Sequence, residues 1–530
     1  SRPLTVEFLK ANNKLVLDTR FFDDSFKARL VASIENFDEQ CDGLLIHSEN
    51  FQALNLLKPK YRNKVAISYI DPPFNLGENA DYLYRVDYKD SSWMTLLQDR
   101  LILAKELIKT VGSTMVRCNH DGNMLVRMFM NEIFGAANYR NEIIVRRAEE
   151  SKGDLNKQFA GVRSITVNYD NLYWYSLDPT TRFGRFLKPT SSKQAKSHWH
   201  SFWKAEDRPN LRYEILGIDL RKHYGQWMWS KERAFRAVEN YKAYQVENVK
   251  TGISLDEYWL KHADKYENEN GVKLEFVDRQ GDGYSSIKYW IPPREYVMAD
   301  NNWLDIKGYA NSWSFKTENS EGLLKRIVES LSSKGEYVLD YFAGSGTTAA
   351  TAHKLGRKWI TVEMGEHFDT VVLRRLKHVL NGDRSGISKE VNWSYGGHFK
   401  YIRLESYEDT LNNLRLDHNP QRKKAVAANP ALKEDYMLRY LLDVETRGSQ
   451  SLLNIDAFAD PTAYTLDVKR PGTDEYAIRA VDLIETFNYL IGLRVLHTSV
   501  PQTFQATFKR ITDPELPEDQ HTKLVVDGRI

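Results

Sequence analysis

Short apolar runs and helical stripes alternate in two separate parts of this chain. The run Val65 to Ile70 is rich in strand formers and stops at a Pro-Pro pair that cannot continue a sheet, so it predicts a strand with Asp71 at its end. From Ser91 to Leu107 the residues Trp93, Leu96, Leu97, Leu101, Leu103, Ala104 and Leu107 recur at helical spacing, and Thr114 to Cys118 reads as the next strand. The alternation returns late in the chain. It predicts a helix through Leu323 to Val328, a strand Tyr337 to Leu339, a glycine loop, a helix Thr347 to Leu355 and a strand Trp359 to Val362. Both stretches fit one doubly wound sheet of the α/β class.

Residues 176–300 break this alternation with irregular sequence dense in aromatic and basic side chains, which predicts an inserted domain. Beyond Gly382 the pattern predicts helices over Tyr436 to Val444 and Val481 to Leu490, and a closing strand that enters a turn over Lys523 to Ile530. The chain therefore divides into an N-terminal segment (1–40), a first core half (41–175), the insert (176–300), a second core half (301–382) and a C-terminal α+β extension (383–530). Because it opens on Ser1 and closes inside a strand-like run, both ends read as cut from something longer.

Charge changes the picture only locally. The whole chain carries 74 basic and 72 acidic side chains, yet Thr181 to Lys250 holds 15 Lys or Arg against 7 Asp or Glu, with Trp199, Trp203, Trp227 and Trp229 interleaved. Basic groups give salt-dependent phosphate affinity, Arg can read base edges and aromatics can stack or wedge, so the insert reads as a DNA-recognition domain. A solvated basic face over an aromatic minicore is the bland alternative. Cys41 and Cys118 lack a CxxC spacing, which argues against a disulfide framework or zinc site and fits a reducing cytoplasm. No run approaches ~18 apolar residues and no apolar signal core opens the chain, so no membrane association is expected. His198, His200 and His223 lack the Cys partners or HExxH spacing of a metal site.

The loop Leu339 to Thr348 leaves a strand and opens a helix, and Gly344 and Gly346 let its backbone approach a ligand closely. It has neither the Lys-Ser/Thr of a P-loop nor a complete GxGxxG, so its ligand lacks a pyrophosphate; candidate contacts are Asp340, Phe342, Gly344, Gly346 and Thr347, together with Asp71. Glu363, at the end of the next strand, is placed to accept hydrogen bonds from two ribose hydroxyls. Alone, a GxG also describes an ordinary strand-to-helix turn.

Asp71, Pro72, Pro73 and Phe74 put a carboxylate, two rigid residues and an aromatic ring at a strand end. An exocyclic amine on a nucleobase is a poor nucleophile because its lone pair is delocalised into the ring. Two acceptors on its N–H groups pull it toward sp³ geometry. Asp71 and the Pro72 carbonyl suit that role, and Phe74 offers a face for a base extruded from the duplex, a stacking contribution of about 1–3 kcal/mol.

With the tetrapeptide preceding the insert and the FxGxG loop following it, the sequence resembles the β class of DNA amino-methyltransferases. The resemblance implies a Rossmann-like methyltransferase sheet with an inserted target-recognition domain, S-adenosylmethionine as methyl donor, and base flipping from double-stranded DNA. A tetrapeptide beginning with Asp is the form usual for adenine N6 enzymes in that family, where cytosine N4 enzymes usually begin with Ser. Ile46 to Asn50 resembles the segment whose acidic residue, here Glu49, contacts the cofactor adenine. Trp303 to Ile306 and Phe315 to Glu321, including Thr317, look like the segment that wraps its methionine end, although Lys-Pro, common there, is replaced. Asp207 to Tyr213 and Trp227 to Glu232 are similar to the modification (Mod) subunits of Type III restriction-modification systems, which dimerise and pair with a helicase-nuclease. Expected DNA contacts are Arg208, Arg212, Trp227, Trp229 and Lys231. The same pocket chemistry also suits a cytosine-N4 or RNA amino-methyltransferase, and a DNA-recognition subunit without turnover stands as the reading from another class.

Overall fold

The computed structural model describes residues 5–74, 90–120, 122–147, 167–190, 195–206, 208–315, 317–413, 463–469, 475–502, 505–512, 514 and 522–527. Before the insert come β1 (Gly43–His47), α1 (Asn50–Tyr61), β2 (Val65–Ile70), α2 (Asp90–Leu107), β3 (Ile108–Cys118), α3 (Asn123–Phe134), β4 (Tyr139–Arg146) and β5 (Tyr169–Ser176). After it come β6 (Asn302–Lys307), α4 (Glu321–Leu331), β7 (Tyr337–Asp340), α5 (Thr347–Lys354), β8 (Lys358–Glu363), α6 (Leu373–Leu380) and β9 (Phe399–Arg403).

These strands form one sheet in the order β6-β4-β5-β3-β2-β7-β8-β1-β9. β5 runs antiparallel to its neighbours β3 and β4; the other pairings are parallel. Every residue of β2 is buried, as a central strand covered on both faces requires, and this is why its sequence reads as an unbroken apolar run rather than an alternation. The expected α/β sheet is therefore present.

Its winding reverses between β2 and β7. From β2 the chain proceeds through α2 to β3 on one side, and from β7 through α5 to β8 on the other, while β2 and β7 pair directly with Leu339 opposite Ser68. Two chains leaving adjacent parallel strands in opposite directions open a crevice beyond their carboxyl ends. Asp71 and the glycine loop both emerge there.

Two boundaries differ from the sequence reading. The second compact unit spans Arg185–Asp300, starting later than 176, because β5 runs to Ser176 and Arg140 ties Ser176 and the Pro179 carbonyl (2.8 Å) to β4. β9, beyond residue 382, extends the main sheet by pairing in parallel with β1. Further on, the helix Leu483–Leu490 packs on α1 through Tyr489, whose ring lies 6.3 Å from that of Tyr61. The closing strand is observed as Thr522–Val526, paired with Phe508–Thr512; residues 528–530 and the helix expected over Tyr436 to Val444 lie outside the described residues.

Unit Arg185–Asp300 has a three-stranded antiparallel sheet of Val277–Arg279, Ile287–Ile291 and His198–Ser201, and the helices Lys231–Thr251 and Leu255–Asn270. Its core gathers Phe202, Tyr213, Ile215, Leu220, Trp227 and Val277. Among the described residues no helix is long and apolar enough to cross a membrane.

Candidate active site

Asp71 follows β2, and Trp93 of α2 pins the turn behind it by donating from its indole N–H to the Pro73 carbonyl at 2.8 Å. Asn319 donates to Asp71 Oδ2 at 2.8 Å, and the Arg117 guanidinium stands 3.8 Å from the same oxygen. Among the described residues no hydrogen bond reaches Oδ1. Burial pushes the Asp71 carboxyl up to about 6, against the opposing pull of Arg117 and Asn319. Phe74 is 8 % exposed, so the ring expected to receive a base is largely covered in this conformation.

The glycine loop turns sharply beside it. Gly344 and Gly346 have φ of 52° and 76°, and a Cβ on Gly346 would stand 2.9 Å from Val372 Cγ1. Both positions therefore need glycine, for backbone sign and for space. Phe342 is half-buried at the crevice. Asp340 is a staple inside the loop: it accepts from Phe342 N at 3.0 Å and from the Thr348 hydroxyl at 2.5 Å, and burial pushes its carboxyl up to about 7. The side chain of Thr347 is buried against Ser345 and Arg375, at 2.9 and 2.8 Å. Asp340 and Thr347 thus brace the loop from within.

Glu363, at the end of β8, accepts three backbone N–H groups: Gly344 on Oε2 (2.8 Å), and Met364 (3.0 Å) and Gly365 (2.8 Å) on Oε1. Burial raises its pKa, but His367 and these amides outweigh that and hold the carboxylate below its ordinary range. A carboxylate has about four acceptor positions, so these three amides use most of them. Glu49 is likewise engaged. Its Oε2 caps α1 through Phe51 N and Gln52 N (2.7 and 3.2 Å), and its Oε1 pairs with Arg100 at 2.6 Å. Arg100 also binds Asn50 Oδ1 at 2.7 Å, and Asn50 Nδ2 reaches the Tyr341 carbonyl of the glycine loop at 2.9 Å. Asp340, Glu363 and Glu49 stand at or just beyond the carboxyl ends of the adjacent strands β7, β8 and β1, with His47 of β1 in register with Glu363. Thr317 sits in the turn between Phe315 and Glu318, whose carbonyl and N–H close at 3.1 Å, and the Phe315 ring lies against Gly344.

These residues fit S-adenosylmethionine: the loop offers backbone without Cβ, and two strand-end carboxylates lie beside it. Sequence reasoning missed Arg100, Arg117, Asp170, Asn319 and Arg375. Only Asn319 lay in a segment singled out for its chemistry; Arg100 and Arg117 fell in the predicted helix and strand without being marked, and the partners of all these charged residues are remote in the chain.

In the insert, Arg208 and Lys231 are exposed, as a phosphate contact requires. Trp227 is not. It is fully buried, stacked on Phe202 with centroids 5.6 Å apart, and donates to the Tyr213 carbonyl at 2.8 Å. It is a core residue, a correction to its expected DNA contact. Trp229 is partly buried between Phe202, Tyr289 and the Arg233 guanidinium, and Arg212 donates from Nε to the Gly225 carbonyl at 3.0 Å. Among the described residues no group of three or more His, Cys, Asp or Glu could hold a metal ion.

A sequence profile described as DNA methylase matches residues 65–373. The chain is 27% identical over 423 residues to the probable type III restriction-modification HindVI Mod subunit of Haemophilus influenzae, covering 70% of this chain and 55% of that one. It is 37% identical over 205 residues to the DNA adenine methyltransferase YhdJ of Escherichia coli, covering 38% and 61%. The match thus spans little more than half the length of these relatives. A DNA modification methylase of Thermus thermophilus, solved with S-adenosyl-L-methionine, aligns over 68% of this chain and 98% of its own at a TM-score of 0.33 and 13% identity.

Proposed function

The chain belongs to the DNA methylase family, and from that membership we propose that it transfers a methyl group from S-adenosylmethionine to the N6 of adenine in duplex DNA. The observation that carries this reading is the meeting of Asp71-Pro72-Pro73-Phe74 with the glycine loop at the reversal between β2 and β7. Asp71 Oδ1 accepts one N–H of the amine and the Pro72 carbonyl the other, which turns the nitrogen lone pair toward the donor. S-adenosylmethionine supplies a methyl group made electrophilic by its sulfonium. The loop from Phe342 to Gly346, with Glu49 and Glu363, holds it, and the DNA is held by the exposed basic residues of the insert, Arg208 and Lys231 among them.

Similarity to a Mod subunit supports placing the chain as the modification subunit of a restriction-modification or related phage-defence system. From the resemblance of its motifs to Type III Mod subunits we infer a homodimer that works with a helicase-nuclease partner. Adenine over cytosine rests on Asp71 and on the similarity to an adenine methyltransferase. The test is tritium transfer from labelled S-adenosylmethionine into DNA, followed by nucleoside mass spectrometry. N6-methyladenine is expected, and Asp71→Ala should abolish it while S-adenosylmethionine binding is kept. N4-methylcytosine would move the assignment to the other amine, and turnover retained in D71A would overturn the site.

A further inference from the structure

Asp71 is held by a chain of buried polar groups that no sequence motif marks. Asn319 Nδ2 donates to Asp71 Oδ2 at 2.8 Å, while Asn319 Oδ1 accepts from the Tyr69 hydroxyl at 2.9 Å and from Arg117 Nη1. A guanidinium has donors only, so the amide oxygen must face Arg117 and the amide NH₂ must face Asp71. Arg117 is itself fixed. Its Nη2 and Nε bind Asp170 Oδ2 at 2.7 and 3.2 Å, its Nη1 binds the Gly308 carbonyl at 3.1 Å, and its guanidinium lies 4.0 Å from the centre of the Tyr309 ring. Both side chains of the Arg117–Asp170 pair are fully buried.

We propose that Asn319 is a positioning residue for methyl transfer: it occupies Asp71 Oδ2, leaves Oδ1 for the substrate amine, and passes the fixed orientation of the Arg117–Asp170 pair to that carboxylate. This rests on the reading of Asp71 as the acceptor for the amine. A carboxylate anchored through one oxygen loses much of its freedom to rotate about its Cβ–Cγ bond, so its free lone pairs favour one direction and the amine meets a pre-oriented acceptor.

The arrangement also governs ionisation. The groups facing Asp71 are Arg117 and Cys118 on β3, Asp170 on β5, Arg147 beyond β4, Tyr309 and Asn319 between β6 and α4, Asp340 on β7, and Tyr69 on its own strand. An amide N–H donated to a carboxylate favours the ionised form. Removing it lets burial act with less opposition, so Asp71 should take up a proton at higher pH.

The experiment compares wild type, Asn319→Ala, Asn319→Asp and Tyr69→Phe by tritium transfer into DNA over about pH 5 to 9. In parallel, the carboxyl-¹³C signal of Asp71, assigned by its loss in D71A, is titrated without turnover. Wild type should lose activity as pH falls through about 6. N319A should lose about tenfold or more in kcat at pH 7 with KM for S-adenosylmethionine within about twofold, and both its acid limb and its carboxyl titration should move up by about one pH unit. N319D, equal in size but without the donor, should lose more, because two carboxylates would then face each other. Y69F, which removes one of the two groups anchoring the amide, should shift in the same direction by less and decides the matter if either Asn319 variant fails to fold. A loss in N319A uniform across pH with both limbs unmoved, or wild-type profiles in all three variants, overturns the proposal. If wild-type protein methylates no amine in DNA, the reading of Asp71 fails first and the proposal falls with it, whatever the carboxyl titration shows.

Discussion

Replacing Trp227 by Ala and Arg208 by Ala should fail in different ways, although both residues belong to the same basic, aromatic insert. Trp227 fills the core against Phe202 and Tyr213, so W227A should cost about 3–5 kcal/mol in urea unfolding and weaken DNA binding only through loss of structure. Arg208 is exposed, so R208A should leave stability within about 0.5 kcal/mol. DNA affinity should instead fall across sequences, with a salt slope smaller by about 1. Equal DNA binding by R208A and wild type at low salt would remove Arg208 from the interface. Composition could not separate the two residues. A tryptophan that stacks on DNA and one that fills a minicore look alike until its neighbours are known.

At the scale of the element, the turn from β7 into α5 shows how a glycine loop is held by its surroundings. Asp340 ties its start, Arg375 binds Ser345 and Thr347 behind it, and Glu363 takes the Gly344 N–H in front. Gly346→Ala would place a Cβ at a φ of 76° and 2.9 Å from Val372 Cγ1. The left-handed backbone alone costs about 1–2 kcal/mol, so the melting temperature should drop and the Kd for S-adenosylmethionine should rise about tenfold or more. Calorimetric titration that finds unchanged affinity would show that the loop does not touch the cofactor. The pattern Gly344-Ser345-Gly346 marked this turn in the sequence, since positive φ and absent Cβ are properties of glycine itself. Its supports were not marked: Arg375 lies on α6, and one arginine on a helix carries no signature of its partner.

Across the molecule, the half of the sheet that carries the glycine loop is fastened by a buried ionic network. Lys354 of α5 binds Glu321 of α4 at 2.8 Å and Asp383, beyond α6, at 2.6 Å; Arg375 of α6 joins Glu318 and Glu321 at 3.0 Å each. Lys354→Met would leave the buried Asp383 without its lysine and Glu321 with Arg375 alone, and should cost about 3–5 kcal/mol near neutral pH. Burial pushes the Asp383 carboxyl up, but Lys354 and Ser385 outweigh it and hold it below its ordinary range. A depressed carboxylate contributes stability that is present above its unfolded pKa and lost as pH falls through the folded one. The gap between wild type and K354M in urea unfolding should therefore narrow from pH 7 toward about pH 3; a gap independent of pH would show that the charges are not the cause. By itself the sequence determined the strand that delivers Asp71, the strand and turn of the glycine loop, and the class of sheet that holds them, because apolar period, proline and glycine act on the backbone locally. Only the tertiary structure decided that β2 and β7 are neighbours, that Trp227 is core, that Glu363 spends three acceptor positions on backbone amides, and that Asn319, Arg117 and Asp170 stand behind Asp71. Those facts depend on residues distant in sequence meeting in a water-poor interior, where a polar group must find a partner, and the chain order does not say which.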